Sequence, residues 1–534
     1  MALIREGDRV DRASSQLRLP LLGVALLLYG LALAGYYVAR YRGMWMEGDT
    51  SHITRTIEVM QKEGTLSPPG GAYVHGFGYQ ATAVMLLSAT GLAPQALQTL
   101  IYPFVALLAL GLASQAFYAR MARDRNVAIL ASLLLLLQPD VLFVTLRGSH
   151  EKLGWPLMMI ALILLYRSIG QPVRKIAVYV SLFYAAVFAM IAVNVFFAST
   201  FLTAVVLGLI LGLIILAFLR RRERLLPTDL SRLVYVTASG GILVFVFLTN
   251  IYPVALSNLR LLRTIAEQVS ALLLSFEIRA QPYEYISFGW TSPRVYLGLT
   301  IFTWLLIVGS FAEWLRRGRR ILDGRDALSL RESLDWLLYA GFALQVAVSI
   351  VVDFAGVLSS NLQLRVFPGF TVLAAGPFAR GIWRVTSRRW FQGRIRRVGL
   401  VLALLAVVWF ALASVFKASN EPSFSNKWGF YSWPEDASLR WTDEYLRFAT
   451  VWTAFDGRLS AAFASNYGYR STGGNTYAAI TFKPEDRYVL FSESERWRGL
   501  RLGLAMPAVA SWNRVYDNGD VYLYHRRPLT PYQR

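Results

Sequence analysis

Eleven apolar stretches divide the first 416 residues, near 20–40, 98–118, 127–146, 155–167, 176–194, 200–219, 233–250, 295–314, 334–352, 366–380 and 398–416. Each of the longer ones approaches the roughly 20 apolar residues that carry a helix across a bilayer. This pattern predicts an all-α polytopic domain of about eleven transmembrane helices over 1–416. The first stretch, Leu19 to Ala39, is followed by no small-residue cleavage site, so it reads as a retained span. Tyr79 to Gly91 is apolar but only about 13 residues long, too short to span, and predicts a helix lying at the membrane surface. Leu259, Leu262, Ile265, Val269, Leu272 and Phe276 recur at helical spacing, with Arg260, Arg263, Glu267 and Gln268 on other faces. They predict a second interfacial helix. Tyr283, Tyr285, Phe288 and Trp290 follow it, either as an aromatic belt or as the border of an entry slot for a lipid chain.

Beyond Lys417 the long apolar runs stop and Asn, Asp, Glu, Trp and Tyr become frequent. Residues 417–534 therefore predict a soluble α/β domain, with a helix near 436–449 and strands over Arg487–Ser492 and Val515–His525. Asp517-Asn518-Gly519-Asp520 interrupts the last of these as a hairpin turn.

Charge orients the pattern. The N-terminus and the loops 119–126, 166–176, 219–233, 315–333 and 379–398 carry 28 of the 54 Lys and Arg residues, while the alternate connections are sparsely basic. By the positive-inside rule the basic set is cytoplasmic. The external loop 41–97 and the domain after Lys417 then face outward from the cytoplasmic membrane. Composition agrees, with 55% hydrophobic residues, 16% charged residues and a mean hydropathy of +0.43. The net charge of +21 is spread in short runs between apolar segments, which argues against a nucleic-acid partner. With no cysteine, the chain has no disulfide framework, thiolate metal site or cysteine nucleophile.

Candidate chemistry gathers on the external side. Glu47 and Asp49 directly follow the first span, and the period of Ile53, Ile57 and Met60 places Asp49 where a helix begins. Asp49 is thus either an N-cap or part of an acidic site at the membrane surface, and the two roles are compatible. Pro68, Pro69, Gly70 and Gly71 break the same loop, and Tyr73, His75 and Tyr79 follow as residues that line either a turn or a cleft. In Arg147-Gly148-Ser149-His150-Glu151-Lys152, Ser149 is a candidate cap and Arg147 and Lys152 are two cations at the bilayer edge. Guanidinium suits bidentate phosphate binding, against the plainer option of snorkelling to lipid phosphates. Arg365 opens the tenth apolar stretch with the same two options. All four histidines, His52, His75, His150 and His525, fall on the external side.

The run EGDTSHITR, the segment from Tyr79 ending in ATGL, the basic turn at Arg120–Arg125, Gln138-Pro139-Asp140 and the RGSHE loop together resemble the multi-spanning GT-C glycosyltransferases. That superfamily includes protein O-mannosyltransferases, oligosaccharyltransferases and aminoarabinose transferases. The resemblance covers the first 170 residues best, and the ending VYDNGDVYLY is similar to the tails of further members. It implies transfer of a sugar from a polyprenyl-phosphate-linked donor to an extracytoplasmic acceptor (glycan, lipid or protein), with an external-loop acid, here Asp49, as base. The chain departs from subfamilies with an adjacent Asp-Glu pair, since its second acid is Glu47. The chemistry also fits the residues directly: a base is needed for the acceptor proton, and positive charge near the departing phosphate. Asp49 supplies the first; Arg147, Lys152 and Arg365 supply the second, with His52, His75, Tyr79, His150 and Glu151 as substrate contacts. A divalent cation, Mg2+ or Mn2+, held by Glu47, Asp49 and Glu151 is left open. Two alternatives stand beside this reading. A lipid or solute transporter needs a charged pathway through the bilayer, and a non-catalytic envelope-assembly protein tolerates loss of Asp49.

Overall fold

The computed structural model describes residues 24, 27–44, 48–67, 75–122, 124–168, 171–218, 227–246, 255–275, 293–322, 330–356, 362–386, 393–418, 431–446, 451–452, 487–493, 496 and 508–526. Glu47, Pro68 to Tyr73, and the belt Tyr283, Tyr285, Phe288 and Trp290 lie outside them, as do the side chains of Asp49 and Ser51.

Every predicted apolar stretch is helical where described. After α1 (27–41) come α2 (Gly48–Glu63) and α3 (Gly78–Thr90), then the long α4 (Pro94–Ala122), whose first part widens into a π-type turn over Leu97–Ile101. The bundle continues with α5 (Arg125–Leu136), α6 (Pro139–Leu146), α7 (Glu151–Ser168), α8 (Val173–Val193) and α9 (Val195–Phe218). Next are α10 (Pro227–Val246), α11 (Ala255–Ser275), α12 (Pro293–Leu322), α13 (Leu330–Phe354), α14 (Leu362–Thr386) and α15 (Gly393–Ala418). Among the described residues four helices are long and apolar enough to cross a membrane, or five if the bent pair α5–α6 counts as one span. The chain is a multi-pass membrane protein.

The stretch 127–146 is not one straight helix. α5 and α6 meet at 72°, because Pro139 has no N–H to continue α5 and disfavours helical geometry at Gln138. The carbonyl exposed at the break, on Leu137, accepts from Ser414 of α15. The bundle core is Leu, Val, Phe and Ala with buried tyrosines whose hydroxyls tie helices together, as Tyr37 to the Ala418 carbonyl at 2.6 Å and Tyr118 to that of Val372 at 2.7 Å. α9 and α13 touch backbone to backbone. A Cβ on Gly341 would overlap the Ala204 carbonyl oxygen, and one on Gly208 would stand 2.6 Å from that of Leu337.

The predicted interfacial helix at 259–276 exists as α11, but Ile265, Val269 and Leu272 pack on Val352, Ala355 and Leu362 at the α13–α14 corner. Ile265, Val269 and Leu272 thus cover protein, while Leu273 and Leu274 on the same helix stay exposed.

In the C-terminal region α16 (Trp433–Tyr445) starts three residues earlier than expected. Ser432 and Glu435 form a reciprocal capping box there, with Pro434 in the first turn. β1 (Val451–Trp452), β2 (Tyr488–Ser492), β3 (Asn513–Asp517) and β4 (Val521–His525) form a sheet in the order β1-β2-β4-β3. β1 pairs in parallel and the other ladders are antiparallel. The hairpin predicted at 517–520 joins β3 to β4, with Gly519 at φ 91°.

Candidate functional site

The loop 147–150 meets α2, and the junction at Asn194 meets the segment leading into α3, at one end of the bundle. α2 runs from Gly48, so Asp49 sits in its first turn. The next residue, Thr50, is fully buried, and its Oγ1 accepts the Gly148 N–H at 3.0 Å. Gly148 has no room for a side chain: a Cβ there would stand 2.5 Å from Thr50 Cγ2 and 3.1 Å from Gln98 Oε1. Gln98, at the start of α4, accepts the Tyr79 hydroxyl at 2.5 Å. The loop helix α2, the loop 147–150 and the second apolar stretch are thereby pinned within a few residues of Asp49.

The loop Arg147 to His150 is tightly bonded. Arg147 Nη2 pairs with Glu151 Oε1 at 3.0 Å, its Nε donates to Ser149 Oγ at 3.2 Å, and its guanidinium lies 5.0 Å over the Phe143 ring. Ser149 does not cap α7 as expected; its hydroxyl donates to the Val144 carbonyl at 3.3 Å. Lys152 is buried, and its ammonium donates to the Leu146 carbonyl at 3.1 Å and to that of Arg147, closing the C-terminus of α6. Burial raises the Glu151 carboxyl, but the His150 ring, the Arg147 guanidinium and hydrogen bonds from Ser149 and its own backbone amide outweigh it, lowering it to about 2. Glu151 Oε2 is buried with no hydrogen-bond partner.

His75 stands across the junction. Its carbonyl accepts the Val195 N–H at 2.7 Å, and its Nδ1 is buried without a partner. Burial and the nearby Arg365 charge hold its imidazole below the ordinary range. Arg365, exposed in the first turn of α14, lies 5.8 Å over the Phe196 ring. Asp353 is structural: its two oxygens accept the Leu362 and Gln363 N–H groups at 2.7 and 2.8 Å, capping α14. His52 lies on α2, half-buried, and His525 on β4.

The structure therefore brings Asp49's helix, His75, Tyr79, Arg147, His150, Glu151, Lys152 and Arg365 to one end. Thr50, which lies in the run EGDTSHITR, joins them, as do Gln98 and Asn194, which no motif marks. Gln98 and Asn194 are each a polar residue at the edge of an apolar run, which is the one signal the sequence offers for them. Among the described residues no group of three or more His, Asp or Glu is disposed to hold a metal ion.

No family model and no curated protein matches the chain. Among solved structures, the oligosaccharyltransferase of Archaeoglobus fulgidus in its apo form aligns over 90% of this chain and 70% of its own, with TM-score 0.57 and 12% identity. Archaeal oligosaccharyltransferase AglB from the same organism, in complex with an inhibitory peptide and a dolichol-phosphate, aligns over the same shares with TM-score 0.55 and 12% identity. ArnT from Cupriavidus metallidurans bound to undecaprenyl phosphate aligns over 94% of this chain and 97% of its own, with TM-score 0.47 and 11% identity. The chain has the GT-C glycosyltransferase fold.

Proposed function

We propose that the protein is a membrane glycosyltransferase that moves a sugar from a polyprenyl-phosphate-linked donor to an extracytoplasmic acceptor, with Asp49 as general base. The observation that carries this reading is the Gly148 N–H to Thr50 Oγ1 bond, because it sets the residue after Asp49 against the loop bearing Arg147 and Glu151. A base and a cationic group on one small patch are the two requirements of the reaction. The dolichol-phosphate bound to AglB, a protein of the same fold, is in keeping with a lipid-phosphate donor.

In the proposed step Asp49 takes the acceptor hydroxyl proton as the acceptor oxygen bonds to the anomeric carbon. The bond from that carbon to the phosphate oxygen breaks, and the polyprenyl phosphate leaves with the electron pair. Arg365, exposed, and Arg147 supply positive charge to the departing phosphate, while Lys152 holds the α6 end in place. His52, His75, Tyr79 and His150 border the sugar and acceptor. The unpartnered Oε2 of Glu151 suits a divalent cation, with Asp49 and Glu47 as further oxygen ligands. Such an ion would add charge at the leaving phosphate.

The test is sugar transfer from a polyprenyl-phosphate donor by purified Asp49→Asn and Asp49→Ala proteins, with thermal unfolding followed in parallel. Loss of a general base lowers the rate by about 10² to 10⁴, whereas the conservative Asn leaves the fold intact. Near-normal turnover by a well-folded Asp49→Asn protein would remove Asp49 from the mechanism. Loss of transfer with unchanged melting separates the enzyme from an envelope-assembly protein.

A further inference from the structure

The end of the bundle opposite the candidate site gathers arginines in excess of the described carboxylates. Glu313, buried on α12, accepts from two guanidinium groups at once: from Arg316 through Nε at 2.9 Å and Nη2 at 2.8 Å, and from Arg384 of α14 through Nη1 at 2.5 Å and Nη2. Asp335 of α13, also buried, accepts the Tyr166 hydroxyl and has Arg317 and Arg380 each at 3.8 Å, near enough for attraction but beyond hydrogen-bond length. Arg316 and Arg317 share a turn of α12, and Arg380 and Arg384 lie one turn apart on α14. Among the described residues, four guanidinium groups thus stand against two carboxylates. Arg380 is the least satisfied of the four. Its Nη2 donates to the Met121 carbonyl at 3.0 Å, and its Nη1 is buried with no hydrogen-bond partner. A buried charged donor in that state is costly until an acceptor reaches it.

The frame around these groups is stiff. Trp314 and Trp336 stack with ring centres 4.8 Å apart and planes within 4°, and each donates its indole N–H to the other's backbone carbonyl, at 2.9 and 3.1 Å. The pair clamps α12 to α13 at the residues next to Glu313 and Asp335, so the arginines are placed before anything binds. An apolar track leads to them. Ile301, Trp304, Val308, Phe311 and Leu315 recur every three or four residues along α12, and all five are exposed. The track ends at Leu315, one residue before Arg316, and Trp383 and Val385 on either side of Arg384 are exposed as well. In a multi-pass membrane protein such a row lies against acyl chains, which places the arginines at the depth of headgroup phosphates.

We infer that this end of the bundle holds one anionic phospholipid, its phosphate among Arg317, Arg380 and Arg384 and its acyl chains along the exposed track of α12. Guanidinium groups from two helices give a phosphate several charge-assisted donors at once, and basic pockets between membrane helices suit anionic headgroups. The bound phosphate supplies the acceptor that Arg380 lacks and the negative charge that two carboxylates leave short. A phosphocholine headgroup carries its own cation and answers only the first need. The inference is independent of the transfer reaction proposed for the other end.

The test is native mass spectrometry of the full chain released from nanodiscs of equal phosphatidylglycerol and phosphatidylcholine with matched acyl chains, with thermal unfolding in neutral detergent in parallel. The unsubstituted protein should retain one phosphatidylglycerol over phosphatidylcholine by about tenfold, the preference that one charge-assisted hydrogen bond confers. Arg317→Gln should abolish that preference. Arg174→Gln, which removes an exposed charge from the first turn of α8 at the same end, should leave it within about twofold, because exposed charges are screened. Added phosphatidylglycerol should raise the melting temperature of the unsubstituted protein, and inorganic phosphate at the same concentration should not, since it has no chains to lie on the track. Equal retention of the two lipids, or equal losses in Arg317→Gln and Arg174→Gln, would overturn the inference. Stabilisation by inorganic phosphate equal to that by the lipid would overturn it too, leaving a site for the free ion. The lipid comparison on the unsubstituted protein decides the matter even if Arg317→Gln fails to fold.

Discussion

Glu151 shows how one buried carboxylate can be held charged at the start of a helix. Burial works against its ionisation, yet the charges and donors around it keep it down at about 2. A folded carboxyl lowered in this way contributes stability that is fully present above the ordinary carboxylate range, near 4.5, and is lost as pH falls from there toward 2. His75 acts on a higher window with the same sign. Its imidazole is lowered in the folded state, so unfolding takes up a proton as pH drops below about 6.5 and acid favours the unfolded chain. Glu151→Gln should cost about 1.5 to 3 kcal/mol at neutral pH, the range for a hydrogen bond to a charged group. It should also flatten the pH dependence of melting below about 4.5, while His75→Asn should flatten only the window near 6.5. Thermal unfolding in detergent across pH measures both, and an unaltered slope in either variant would contradict the burial argument for that residue. Charged residues such as Glu151, Arg147 and Arg365 were legible as candidates because charge is conspicuous between apolar runs. Gln98 and Asn194 were not, since a neutral amide at the edge of an apolar stretch changes neither charge nor hydropathy enough to be noticed.

Hydropathy finds where helices are, but close approach and breakage depend on single residues that an averaging window hides. α5 and α6 read as one stretch, 127–146, although Gln138-Pro139-Asp140 stands inside it. α9 and α13 likewise read as ordinary spans, yet Gly208 and Gly212 lie one turn apart on α9 and Gly341 faces that helix. Small residues at this spacing allow van der Waals packing and close backbone contact where lipid provides no hydrophobic drive between helices. Gly341→Ala should therefore destabilise the bundle by about 1 to 3 kcal/mol, the usual range for overpacking. Gly241 in α10 has nothing within 4 Å of the position its Cβ would take, and an exposed helical Gly→Ala gains roughly 0.5 to 1 kcal/mol. The two substitutions should move the melting temperature in opposite directions, and a common direction would mean that α9 and α13 do not meet as described.

At the scale of the whole molecule the two ends of the bundle differ in chemistry. One end carries the candidate site. At the other, Glu313 of α12 pairs with Arg316 at 2.8 Å and with Arg384 of α14. Asp335 of α13 accepts from Tyr166 and faces Arg317 and Arg380 at 3.8 Å. These described ion pairs sit at helix ends and leave arginine in excess, as expected for a face toward the cytoplasm. The helical architecture, the C-terminal sheet and the GT-C resemblance were legible from periodicity and local motifs. The meeting of residues 50, 75, 148, 194 and 365 was not, because it depends on tertiary packing between segments tens to hundreds of residues apart. The reading of charge predicts which end faces out, and the absence of cysteine makes the test free of background. Ser67 follows α2 on the site end and Arg319 lies near the end of α12 on the other, both exposed. A membrane-impermeant maleimide applied to intact spheroplasts should label Ser67→Cys at once and Arg319→Cys only after permeabilisation. The reverse pattern would place Asp49 in the cytoplasm and take with it the extracytoplasmic acceptor, since base and acceptor must share one side of the membrane.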